Sequence, residues 1–132
     1  MGHRMKQVLL DTHALVWWFE GRKNLSRKAK ETIEDSETVV FVSAVSGWEL
    51  AIKTQIGKFK SAELVRGLER GIEKEGFIEL PISVKHALLA GSLYSAHKDP
   101  FDRLLIAQAQ VEKVPIVSNE KVFDGFAIHR VW

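Results

Sequence analysis

The sequence predicts an α/β protein: a three-layer sandwich whose central, mainly parallel sheet of four to five strands is flanked by helices. Three observations carry this. Short runs rich in β-branched and apolar residues alternate along the chain with longer segments of helical period. No two strand-like runs are joined by a hairpin signature. No repeat, linker or low-complexity stretch divides the 132 residues, so 1–132 reads as a single domain long enough for one proper core.

The first strand is "VLL" at 8–10, followed at once by a helix over 14–20 that Gly21 stops. "LSRKAKETIEDSE" reads as a helix with Ser26 as N-cap. "TVVFVS", 38–43, has the β-branched content of a buried strand. The next helix, from Ala44, carries Val45, Trp48, Ile52 and Ile56 at helical spacing, with Gly57 placed to end it, and on this reading Trp48 is core. "SAELVRGLERGIEKEG" reads as one amphipathic helix with the stripe Leu64, Leu68 and Ile72, ended by Gly76. "FIELPI", 77–82, is the third strand, and 83–96 a helix capped by Ser83. The helix of "DPFDRLLIAQAQVEK" follows. "VPIVSN", 114–119, is a fourth strand with Pro115 at its start, and 126–131 a possible fifth at an edge.

Composition narrows the function classes. The chain has 45% hydrophobic and 27% charged residues, ordinary for a soluble domain. It has no cysteine, which excludes a disulfide framework and thiolate metal ligation and agrees with a cytoplasmic location. No apolar run approaches the roughly 20 residues that span a bilayer, and the start lacks the apolar core of a signal peptide, so no membrane role is expected. Residues 1–4, ahead of a second methionine at Met5, are expected to be a disordered or added start. The formal net charge of +2 is too small to argue for nucleic acid alone. It gains meaning if several acids cluster in one pocket, because the remaining surface is then more basic.

In a parallel α/β sheet, ligands bind beyond the carboxyl ends of the strands. Asp11, the segment from Ser43 to Glu49, and Ser118, Asn119 and Glu120 fall at that edge. Each acid also has an ordinary structural reading. Asp99 with Pro100 starts a helix, and Asp102 sits at the third helical position facing the dipole; Asp102 reads equally as helix support or as a ligand. Glu49 has the capping-box spacing from Ser46 and an i,i+4 partner in Lys53. Asp11 could cap the first helix, and Glu120 could be a first-turn acid. Together, Asp11, Glu49, Asp102 and Glu120 come from four separate places that this sheet could bring to one edge. Carboxylates so gathered need a cation to stay ionised. Hard oxygen donors suit Mg²⁺ or Mn²⁺, which can activate water and stabilise the leaving oxygen of a phosphodiester. The chain has neither a P-loop nor a G-x-G-x-x-G motif.

Four segments in order, "LLDTHALVWW", "VSAVSGWELAIK" with "GK" at 57–58, "DPFDRLLIAQA" and "VPIVSNEKVF", resemble the PIN-domain family, and within it the VapC toxin type. The resemblance runs from about Val8 to Trp132. It implies a PIN-like α/β fold and a metal-dependent ribonuclease. It also implies a cognate, VapB-like antitoxin partner and a homodimer. Carried over by motif, Asp11, Glu49 and Asp102 are metal-binding and catalytic acids, and Asp99 is the cap beside them. The last motif commonly has an aspartate after the serine or threonine of the fourth strand. Here "VSNE" offers Glu120, whose longer arm leaves it the least secure metal ligand.

Thr12, Ser43 and Asn119 neighbour these acids, and a hydroxyl there could orient a carboxylate or cap a helix. His13 reads as a support or cap rather than a substrate contact, and His97 as a possible lining of the cleft. Trp17 and Trp18 read as core or dimer surface. Lys53, Lys58, Lys60 and Arg103 are candidate phosphate contacts, weighed against an ordinary solvated face. Single-stranded or looped RNA suits a narrow acidic cleft better than duplex. The main alternative is a PIN-like module that binds RNA or protein without cleaving, for which Glu120 is the support. A haloacid-dehalogenase phosphatase would need a second aspartate two residues after Asp11, where this chain has His13.

Overall fold

The computed structural model describes residues 6–132; the expectation for residues 1–4 lies outside them. The elements are β1 (Lys6–Leu10), α1 (Thr12–Phe19), α2 (Arg27–Glu34), β2 (Thr38–Ser43), α3 (Ala44–Gln55), α4 (Ala62–Arg66), α5 (Leu68–Lys74), β3 (Ile78–Leu80), α6 (Val84–Ser92), α7 (Pro100–Glu112), β4 (Ile116–Val117), a 3-10 turn (Lys121–Phe126) and β5 (Arg130–Val131). The five strands form one sheet in the order β3-β2-β1-β4-β5, and every pairing is parallel.

Strand alternation divides the core into the two faces of a three-layer sandwich. Val8 and Leu10 of β1 and Val40 and Val42 of β2 pack with Leu15, Ile33, Leu50 and Ile72. Leu9 and Ile116 pack on the opposite side with Val45, Leu105, Ile106 and Phe123. With both faces covered, β1 is apolar from Val8 to Leu10 without a polar interruption.

The chain lays down β1, β2 and β3 outward in one direction, then returns to add β4 and β5 on the other side of β1. The reversal lies between β1 and β4. A crevice opens at such a switch point, beyond the carboxyl ends of the two strands. Asp11 follows β1 there, and Ser118 to Glu120 follow β4. Asp11 N–H donates to Val117 O at 3.1 Å, which locks the two strand ends together.

Several elements differ from the sequence expectation. The expected single helix at 61–76 is broken into α4 and α5 at Gly67, whose φ of −94° and ψ of 3° leave the helical basin. The helix expected over 83–96 ends at Ser92. The Arg103 guanidinium binds the carbonyl oxygens of Ala90 in the last turn and of Leu93 and His97 beyond it at 2.7–2.9 Å, giving these carbonyls partners outside a helix. The fourth and fifth strands are two residues each, and Lys113 and Ala127 adopt left-handed conformations three residues ahead of them. Among the described residues no helix is long and apolar enough to cross a membrane.

Candidate active site

Asp11 is buried and caps α1, its Oδ1 accepting Ala14 N–H at 2.7 Å. Ser118 also hydrogen-bonds its carboxylate. Burial nevertheless dominates and raises the Asp11 pKa from 3.8 to about 6. Ser118, Ala14 and His13 act against the shift, and Glu120 adds to it.

Asp102 occupies the first turn of α7, behind the Asp99 cap, whose Oδ1 accepts the N–H groups of Phe101 and Asp102 at 2.9 and 3.1 Å. His97 Nε2 lies 2.9 Å from Asp102 Oδ2. Burial pushes Asp102 above its ordinary pKa, the His97 bond opposes this, and the charges of Asp99 and Glu120 reinforce it. Glu120 thus acts on both Asp11 and Asp102 across the crevice. Its own carboxylate pairs with His13 Nδ1 at 3.2 Å, and His13 stacks on Trp17.

Glu49 is buried on α3 and forms an ion pair with Lys53. That ammonium also lies in the field of Asp99 and Asp102, and it is held above its ordinary pKa chiefly by the Glu49 bond. Ser43, not Ser46, caps α3, its Oγ accepting Val45 N–H at 3.0 Å. Ser46 instead bonds the Thr12 hydroxyl at 2.9 Å, tying the start of α1 to α3.

The structure therefore gathers Asp11, Asp102 and Glu120 into one electrostatic neighbourhood and joins Glu49 to it through Lys53 and its charge coupling to Asp102. Among the described residues, no three His, Asp or Glu side chains converge into a ready metal cage. The donor chemistry still fits a hard divalent cation, because Mg²⁺ is commonly held by one or two carboxylates and retains several waters. The raised pKa values of buried Asp11 and partly buried Asp102 agree with this: desolvation opposes their ionisation, and a nearby cation would favour it.

Four sequence assignments change. Asn119 is exposed, and the buried hydroxyl that supports Asp11 belongs to Ser118, one residue earlier. The Arg103 guanidinium is engaged with three backbone carbonyls and turned into the protein, whereas Lys58 and Lys60 are exposed. The spacing from Ser46 to Glu49 is not a capping box, since Ser43 is the cap. Trp48 is 51% exposed rather than core, and its ring meets Phe101 at 5.1 Å and 73°. The buried face of α3 runs through Val45, Ser46, Glu49 and Leu50 instead. Trp18 is buried, and Trp17 is half-buried against Trp132.

The chain matches the PIN domain family profile over residues 8–128. Among solved structures, a chain of VapBC2 from Rickettsia felis, bound to a DNA fragment from its promoter, is similar with a TM-score of 0.68 and 15% identity, over 94% of this chain and 96% of that one. A chain of DNA-bound VapBC from Salmonella typhimurium gives 0.69 and 16%, over 96% and 97%. The PIN domain endonuclease Utp24 gives 0.51 and 18%, over 89% and 74%. At these identities the shared property is the fold. No curated protein sequence matches the chain.

Proposed function

The chain belongs to the PIN-domain family, and on that premise we propose that it is a Mg²⁺- or Mn²⁺-dependent endoribonuclease, the toxin of a toxin–antitoxin pair. The observation that supports this reading is that Asp11 and Glu120 follow the two strands at the sheet's switch point, that the charge of Glu120 acts on both Asp11 and Asp102, and that Lys53 links Glu49 to the field of Asp102. The similarity to chains of VapBC complexes supports the partner, a VapB-like antitoxin, and the dimeric state. The similarity to an endonuclease of the same family supports cleavage within a strand.

Asp11, Glu49 and Asp102 are the residues that would hold the cation, with Glu120 as a further ligand. A bound divalent ion supplies an activated water and a counter-charge for the phosphodiester oxygens. Ser118 and the cap bond to Ala14 fix the Asp11 carboxylate. His97 fixes Asp102, and Lys53 holds Glu49. Because burial makes Asp11 and Asp102 reluctant to ionise, they gain more from a nearby cation than exposed acids would.

The deciding experiment is cleavage of a mixed RNA pool by wild type, Asp11→Asn and Asp102→Asn, with Mn²⁺, Mg²⁺ or EDTA. The three preparations are first matched for folding by circular dichroism. Metal-dependent cleavage lost in both variants is expected. Cleavage that survives in both would reject the assignment. A non-catalytic binding module is the second reading, favoured by Glu49 being paired with the Lys53 ammonium and Glu120 with the His13 ring already. It requires that wild type bind RNA or antitoxin, take up no Mn²⁺ and leave the pool intact.

A further inference from the structure

We propose that Trp48 is a stacking platform for a nucleobase of the RNA strand, positioning the backbone against Glu49 and Asp102. This rests on the nuclease reading above. Each of the other three tryptophans is buried or only partly exposed, against another aromatic ring. Trp18 is buried against Phe77 and donates its indole N–H to Glu75 at 2.8 Å. Trp17 lies between His13 and Trp132, at ring distances of 5.5 and 5.8 Å. Trp48 is half exposed, and among the described residues its ring meets Phe101. At 73° the two rings do not stack on each other, and an edge-to-face contact covers at most one face of the indole.

The position of this pair distinguishes it from a stray surface aromatic. Trp48 is the residue before Glu49 on α3, and Phe101 is the residue before Asp102 on α7. The aromatic contact therefore joins the same two helix segments that present two of the acids. Phe101 is itself packed on the core cluster below α7, so the buttress is anchored. A flat, apolar, braced surface on the two helices that carry these carboxylates suits the base of a nucleotide whose phosphate lies at the acids. It works on any base, because every base has a π-face. Lys53, one turn further along α3 and only partly buried, adds a cation on the same helix.

The test uses RNA oligonucleotides that wild type cleaves, in steady-state kinetics with Trp48→Ala and Trp48→Phe. Trp48→Ala is expected to raise KM about tenfold, with the loss on KM rather than kcat, and Trp48→Phe to recover most of it. Each base flanking the cut is then replaced in turn by an abasic ribose. One replacement should raise KM for wild type and leave KM for Trp48→Ala unchanged, because the partner of the lost base is already gone. An unchanged KM in folded Trp48→Ala, or base and tryptophan effects that simply multiply, would overturn the proposal. So would a Trp48→Ala effect confined to self-association or antitoxin binding. Absence of any cleavage by wild type is a different result: it removes the nuclease reading and this inference with it.

Discussion

Ser118 serves two acids: its hydroxyl helps hold the Asp11 pKa down, and its Oγ accepts the N–H of Glu120 at 3.0 Å. The first contact stabilises a charge that burial opposes. The second fixes where the next acid leaves β4. One small side chain at the end of a two-residue strand thus sets the geometry of the crevice on both sides.

Asp11→Asn is expected to make the metal-free protein more stable at neutral pH while abolishing cleavage. Folding raises the Asp11 pKa from 3.8 to about 6, so the folded chain holds the proton more tightly than the unfolded one. Stability therefore falls as pH rises between these two values, and above them the full cost stands, about 3 kcal/mol. Asparagine keeps the N-cap and has no charge to bury. Unfolding in EDTA from pH 3.5 to 7.5 checks this. The variant's advantage should be greatest near neutrality and disappear towards the acid end. A gap that does not vary with pH would contradict it.

Ser118→Ala removes the hydroxyl that holds the Asp11 pKa down. The pKa of Asp11 should move above its wild-type value, and the acidic limb of the pH–rate profile should move up with it. The stability loss should be about 1–2 kcal/mol, from the Asp11 contact and the orphaned Glu120 N–H. Carboxyl NMR titration follows Asp11 directly. An unshifted titration would mean that the hydroxyl only fills space.

Much of this arrangement was legible because fold and site use the same signals. β-branched runs marked the strands, and Asp99-Pro100 marked the start of α7 through capping chemistry that needs no tertiary contact. What was hidden depended on burial of polar groups. On α3 an apolar period selects Val45, Trp48, Ile52 and Ile56, but Ser46 and Glu49 are buried because Thr12 and Lys53 partner them. Those partners rotate the buried face of the helix and leave Trp48 and Ile56 exposed. Nothing local in "AVSGWE" announces the contact of Ser46 with Thr12, 34 residues earlier. Ser118 was obscured similarly: its importance lies in a carboxylate just past the end of the neighbouring strand.

His97→Ala should weaken metal binding more at pH 6 than at pH 8. Burial already holds Asp102 above its ordinary pKa, and the His97 bond limits that rise. Without the bond the pKa climbs further, so the protonated, non-binding fraction grows most on the acid side. The loss of Mn²⁺ affinity is therefore expected to be the larger on the acid side. At pH 8 most of it should be recovered. Calorimetric titration at both values measures the difference, and equal losses would assign His97 a purely steric role.

Arg103→Gln should destabilise the fold without changing the salt dependence of RNA binding. Three guanidinium nitrogens donate to Ala90, Leu93 and His97, bracing the segment that carries His97 towards Asp102. Glutamine cannot span these carbonyls, and the cost should be about 2 kcal/mol, less than three independent bonds because they share one group. Amide exchange should quicken across residues 93–99 before the rest of the protein opens. Lys58 is exposed and offers the contrast. If it meets a phosphate, Lys58→Ala should reduce the slope of log affinity against log salt by about 0.7, the share of one single-strand phosphate contact. The same change in slope for Arg103→Gln, with stability intact, would show that its guanidinium leaves the carbonyls to bind RNA.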